Sequence, residues 1–143
     1  METVGTLVAD RDFLVFARFA TMAFFAIVFL QSGIDKIADQ EGNQSYFKSV
    51  FKNQPTLQSL VGPLFWGLTV LEMSAGVFCG LSILTLSFAD GGFLARWGMR
   101  FSTLALLALI FGQRMAKDYG GAVVIATYFG VALIGNLLFA IGK

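Results

Sequence analysis

The chain has 143 residues, 57% of them hydrophobic and only 13% charged, with a mean hydropathy of +0.75 and a formal net charge of +1. A soluble domain carries about 25% charged residues, so much of this surface must face something other than water, and the near-zero charge offers no basic face for nucleic acid. With no histidine and one cysteine, Cys79, the chain alone cannot build a bis-histidine haem site, a histidine metal site, a Ser-His-Asp triad, an internal disulfide or a CxxC pair.

The N-terminal METVGTLVADRD carries mixed charge, and the apolar run after it is too long for a signal-peptide core, so the protein is expected to keep its start. A membrane crossing needs about 20 predominantly apolar residues. Four stretches qualify, at about 13–34, 60–84, 97–115 and 121–141. They are continuous apolar runs without period-2 alternation, which disfavours a β-barrel. The expected fold class is therefore all-α: a membrane-embedded four-helix bundle forming a single domain over 1–143. A short interfacial helix at about 44–53 is expected between spans one and two.

Span one opens at Arg18 and closes on Gln31, Ser32, Gly33, Ile34, Asp35 and Lys36. In the following loop, NQSYFKSVFKNQP sets Tyr46, Phe47, Val50 and Phe51 on one helical face and points Lys48 and Lys52 elsewhere. That pattern fits a helix lying in the membrane interface, or one packed over the bundle, stopped near Pro55. Span two holds Glu72 well inside its apolar run. At about 100° per residue, Glu72, Ala75, Gly76, Cys79 and Gly80 share a face whose small residues should look into the bundle. Cys79 reads as packing, since nothing near it in sequence would activate a thiol. Asp90-Gly91-Gly92 makes the next turn, and Arg96, Trp97 and Arg100 mark the start of span three. Span three ends in Gln113, Arg114, Lys117 and Asp118. Span four carries little polarity beyond Tyr128 and Asn136.

Shifted by 82 residues, RFATMAFFAIVFLQ (18–31) falls on RFSTLALLALIFGQ (100–113), with Arg18/Arg100, Thr21/Thr103 and Gln31/Gln113 among the identities. Spans one and three run in the same direction, so a true repeat would be parallel, about an axis along the membrane normal. Chance resemblance between apolar helices is the alternative.

Glu72 is the sharpest candidate for chemistry, because an ionisable group at depth is costly and either pairs or marks a pathway. Lys36, Ser32 and Gln31 at the end of span one are its expected partners. The cluster reads in two ways: a site for a quinone or lipid headgroup or a proton, or a lock fixing helix register. Arg18, Arg100, Arg114 and Lys117 are expected to be interfacial anchors, with a buried ion pair as the other reading for Arg18 and Arg100. Arg114, Lys117 and Asp118 could also form a charged rim with Asp35 and Lys36. No metal-ligand cluster, phosphate-cradling loop or nucleotide fingerprint is present in the sequence. No intrinsic cofactor is expected. Basic residues divide five against five between the two sides, leaving the positive-inside rule silent.

Several of these residues resemble the pattern of the DoxX-like family of small four-helix membrane proteins. They are Arg18, FLQSGIDKI (29–37), Tyr46-Phe47, the Pro55 region, Leu71-Glu72 with Gly76 and Gly80, and Arg100. The likeness spans 18–118 as a scattered pattern; the Asp-Gly-Gly turn and the first dozen residues depart from it. Ser32, Gly33, Lys36 and Glu72 match positions of that pattern without being marked as catalytic by it. The resemblance implies a setting among quinone-linked redox systems. On it rests the expectation of a small accessory subunit in a membrane redox complex, in contact with the lipid bilayer and with other subunits. A quinone- or lipid-handling component acting through Glu72 and Lys36, or a small transporter, are the alternatives. The expected location is a bacterial-type inner membrane, with both termini on one side, taken as the cytoplasmic.

Overall fold

In hydrocarbon every backbone N–H and C=O must be satisfied internally, so long apolar stretches have little choice but to become helices. The computed structural model describes residues 11–141 and shows that outcome. Among the described residues there are six helices: α1 (Arg11–Ala38), α2 (Gln40–Val50), α3 (Pro55–Ser59), α4 (Val61–Leu84), α5 (Phe93–Met115) and α6 (Tyr119–Ala140). Of these, α1, α4, α5 and α6 are long and apolar enough to cross a membrane, and they pack against one another. The chain is a multi-pass integral membrane protein with an all-α, four-helix core. The expectation about the first ten residues lies outside the described ones, as does Lys143 in the charge balance.

Local chemistry sets the helix ends. The Asp39 carboxylate accepts from the Gly42 N–H at 3.0 Å and caps α2; Asp118 does the same for α6 through Gly121. Gly91, at φ +67°, turns the chain out of the 85–92 loop, which lets α5 begin at Phe93, four residues before the expected start. The loop helix also differs from expectation. Its cap at Asp39 starts it at Gln40, and the turn at 51–53 ends it before Pro55 opens the separate short helix α3. Phe47 and Val50 are half-buried and Phe51 is buried, whereas Tyr46 points outward at 61% exposure. The Phe47 ring lies 6.3 Å from that of Phe65, so α2 packs over α4 with one face.

Helix α4 is the centre of the bundle. It packs along α1 on one side and α5 on the other; α5 then carries α6, and α6 touches α1 more sparsely. Small residues set these distances. A Cβ on Gly76 would lie 2.8 Å from the Leu30 backbone nitrogen, and one on Gly98 would lie 3.1 Å from that of Cys79. Both helix pairs therefore meet nearly backbone to backbone. Phe25, Phe29, Met22, Met99 and Leu106 fill the space between.

The 82-residue likeness does not extend to packing. Thr21 and Thr103 make the same bond to the carbonyl four residues back, at 2.8 Å each. Yet Phe25 and Phe29 are buried, while their counterparts Leu107 and Phe111 are 46% and 59% exposed. In α1 this face meets α4. Helix α5 instead turns its Ala95, Gly98, Ser102, Ala105 face inward.

Candidate functional site

Ser32 and Lys36 stand one turn apart on α1, and Glu72 faces them from α4. Glu72 lies 11 residues after Val61 and 12 before Leu84, at the middle of its helix. The Leu30/Gly76 contact beside them holds the backbones close enough for these side chains to meet. The Lys36 ammonium donates to the Ser32 hydroxyl at 2.8 Å, and that hydroxyl donates to Glu72 Oε1 at 3.0 Å. Lys36 Nζ also pairs directly with Glu72 Oε2 at 2.8 Å. Glu72 is fully buried, and the Lys36 side chain is 10% exposed. The cluster is a closed ring of three side chains, neutral in sum, in which Glu72 Oε1 accepts a hydrogen bond and Oε2 is held by the ion pair alone.

Such a ring can do two things. As a lock, it fixes the register of α1 on α4, because sliding either helix would leave a charge unpaired in a medium where that is costly. As a site, it could exchange one internal partner for a ligand's polar group, at the cost of the bond given up.

Gln31 does not join the ring. It is exposed, because it lies about 100° around α1 from Ser32 and falls outside the buried stripe Phe29, Gly33, Lys36. Arg18 likewise does not stand exposed as an interfacial anchor, and among the described residues it forms no ion pair. It is 3% exposed, and its guanidinium donates to the carbonyls of Leu138 and Ala89, both at 3.0 Å, and to that of Ile141. The Phe139 ring lies 5.4 Å below it. The cause is the end of α6, where the last carbonyls have no intrahelical donor; a planar fork of N–H groups answers several at once.

Arg100 is exposed two turns into α5, 4.9 Å from the Trp97 ring, and Arg114 is exposed 4.7 Å from that of Tyr119. Lys117 is exposed in the turn before α6, at φ +59°. Of the expected rim, Lys36 turns inward to Glu72 and Asp118 caps α6, while Asp35 stays exposed. The inward face of α4 holds Glu72, Ala75, Gly76 and Cys79 buried; Gly80 is half-buried with open space beside it. Cys79 sits 3.8 Å from Ser102 in the α4–α5 contact. One polar tie had no signal in spacing: Asn136 donates to the Thr103 hydroxyl at 2.9 Å, joining α6 to α5.

Among the described residues no group of three or more His, Cys, Asp or Glu is placed to hold a metal ion. No protein-family model, curated protein or solved structure matches the chain.

Proposed function

We propose that this protein is a small accessory subunit of a membrane redox complex, docking its apolar outer helix faces on larger subunits in a bacterial-type inner membrane, with both termini on the cytoplasmic side. The observation that supports this is the closed Lys36–Ser32–Glu72 ring. The charged groups set deepest in the bundle are held by one another and leave the outward faces of α1 and α4 apolar. The redox setting rests on the DoxX-like pattern at Ser32, Gly33, Lys36 and Glu72. Gentle solubilisation of the native membrane followed by native mass analysis tests the reading. Stoichiometric recovery with redox subunits is expected; a chain recovered alone under conditions that keep other complexes intact would refute it.

A second reading is a quinone- or lipid-handling component acting through Glu72 and Lys36. It is favoured by the 10% exposure that the Lys36 side chain keeps beside a fully buried carboxylate. On this reading Glu72→Gln preserves the fold and removes bound quinone from the purified protein. Unchanged quinone content in a folded variant would sink it.

A further inference from the structure

Helix α1 buries one face against the bundle and turns the opposite one outward. The outward stripe runs through Ala20, Ala23, Ile27, Gln31, Ile34 and Ala38, at spacings of three or four residues that keep it on one side of the helix. Ile27 is 67% exposed and Ile34 54%. The stripe suits hydrocarbon at every position but one. The Gln31 side chain is exposed and, among the described residues, makes no hydrogen bond.

Helix register fixes how deep that amide lies. Leu30 meets Gly76 backbone to backbone, and Gly76 is 15 residues after Val61, about 22 Å along α4 from its start. Towards the other surface, Gln31 stands 13 residues after Arg18, about 20 Å along α1. The wet end of the outward face is marked by Asp35, exposed one turn further on. Cα–Cβ bonds lean towards the N-terminus of a helix, so the Gln31 amide is directed back towards Ile27, away from that end. A carboxamide left in hydrocarbon costs free energy that a partner would recover. At similar depth α4 exposes Val70 and Val77, α5 exposes Leu104 and Leu107, and the exposed Thr127 hydroxyl of α6 donates to the Val123 carbonyl at 3.1 Å.

We propose that the outward face of α1 pairs with the same face of a second copy of this chain, the Gln31 amides of the two copies bonding to each other. The chemistry of the side chain identifies the occupant. Two copies inserted in the same direction are related by a two-fold axis along the membrane normal, which sets Gln31 opposite itself. A carboxamide is its own complement, because each NH2 group donates to the other's carbonyl oxygen; an ammonium or a guanidinium has no acceptor to offer its copy. Ala20 and Ala23 let the two backbones come close, and Asp35, about 100° around α1 from Ile34, lies off the seam. The pairing uses neither the Lys36–Ser32–Glu72 ring nor the outer faces of α4, α5 and α6, so it does not depend on the accessory role.

The test is oxidative cross-linking of the full chain in native membranes, using Ile27→Cys, Ile34→Cys and, as a control, Ile134→Cys on the exposed face of α6. Cys79 is fully buried and supplies no cross-link of its own. The two α1 variants are expected to give a disulfide product of twice the chain mass, and the α6 variant none. The unaltered chain and Gln31→Leu are then compared by energy transfer between terminally labelled chains on dilution in detergent micelles. The dissociation constant should rise about tenfold in Gln31→Leu, the effect of the interhelical amide bonds, and much less in Gln31→Asn, which keeps the carboxamide. Absence of the α1 products, equal cross-linking from α6, a product that holds a different chain, or an unchanged dissociation constant in Gln31→Leu overturns the proposal.

Discussion

Replacing Arg18 by lysine keeps the positive charge and removes the fork. The guanidinium reaches three carbonyls, from Leu138, Ala89 and Ile141, that belong to the end of α6 and the turn after α4. Hydrogen bonds with one charged partner contribute about 1.5–3 kcal/mol each, and an ammonium can keep one or two of the three. Carbonyls near a helix end can also regain water in part. The expected net loss is therefore about 2–4 kcal/mol. At roughly 2–4 °C per kcal/mol for a chain of this size, the unfolding midpoint should fall by roughly 5–15 °C. Cys79 supplies the assay, since it is the only cysteine and fully buried, so a thiol-reactive fluorophore reports the opening of the bundle on heating. Arg100→Lys is the control. Its guanidinium is exposed and, among the described residues, only stacks on Trp97, so its change should stay within about 0.5–1 kcal/mol. An Arg18→Lys protein that opens at the unaltered temperature would refute the carbonyl clamp and return Arg18 to the role of a simple anchor.

The same fluorophore assay addresses the buried ring. Glu72→Leu or Lys36→Met alone should each cost about 3–5 kcal/mol, and the double variant should recover most of that loss; purely additive losses would show that the pairing is not what matters. Gly76→Ala places a Cβ 2.8 Å from the Leu30 backbone nitrogen and should cost about 1–3 kcal/mol by forcing α1 off α4. Gly80→Ala, with nothing within 4 Å, should be neutral or up to about 1 kcal/mol stabilising. Equal midpoints for the two alanines would refute the close approach. Gln54 donates to the Met115 carbonyl at 2.8 Å, so Gln54→Ala should speed amide exchange around 51–58 and leave the Cys79 labelling midpoint within about 1 kcal/mol.

Hydropathy and helical periodicity make the four spans legible, and they also bring Glu72 to Ser32 and Lys36. Both signals are local to one helix or one helix face. Gln31 departs from expectation because the polar end of a span does not show which of its adjacent residues faces inward; only the packed partner does. Arg18 departs from expectation for a related reason. An arginine near the start of a span reads as an anchor unless the carbonyls that receive it are known, and these lie at positions 89, 138 and 141. The 82-residue likeness is a likeness of composition and of one threonine bond, and it carries no information on how each helix is rotated.

The Arg18 clamp also sets an order of assembly. Its acceptors lie 71, 120 and 123 residues further along the chain. When α1 first enters the bilayer none of them has been made, so the guanidinium must remain with water or headgroups until the loop after α4 arrives, and then until α6 inserts. An arginine held back in this way keeps α1 near the surface and free to tilt. Only the last helix draws it inward. Final seating of the first span is thereby coupled to insertion of the last, and a chain stalled before α6 is left with an arginine lacking two of its three acceptors.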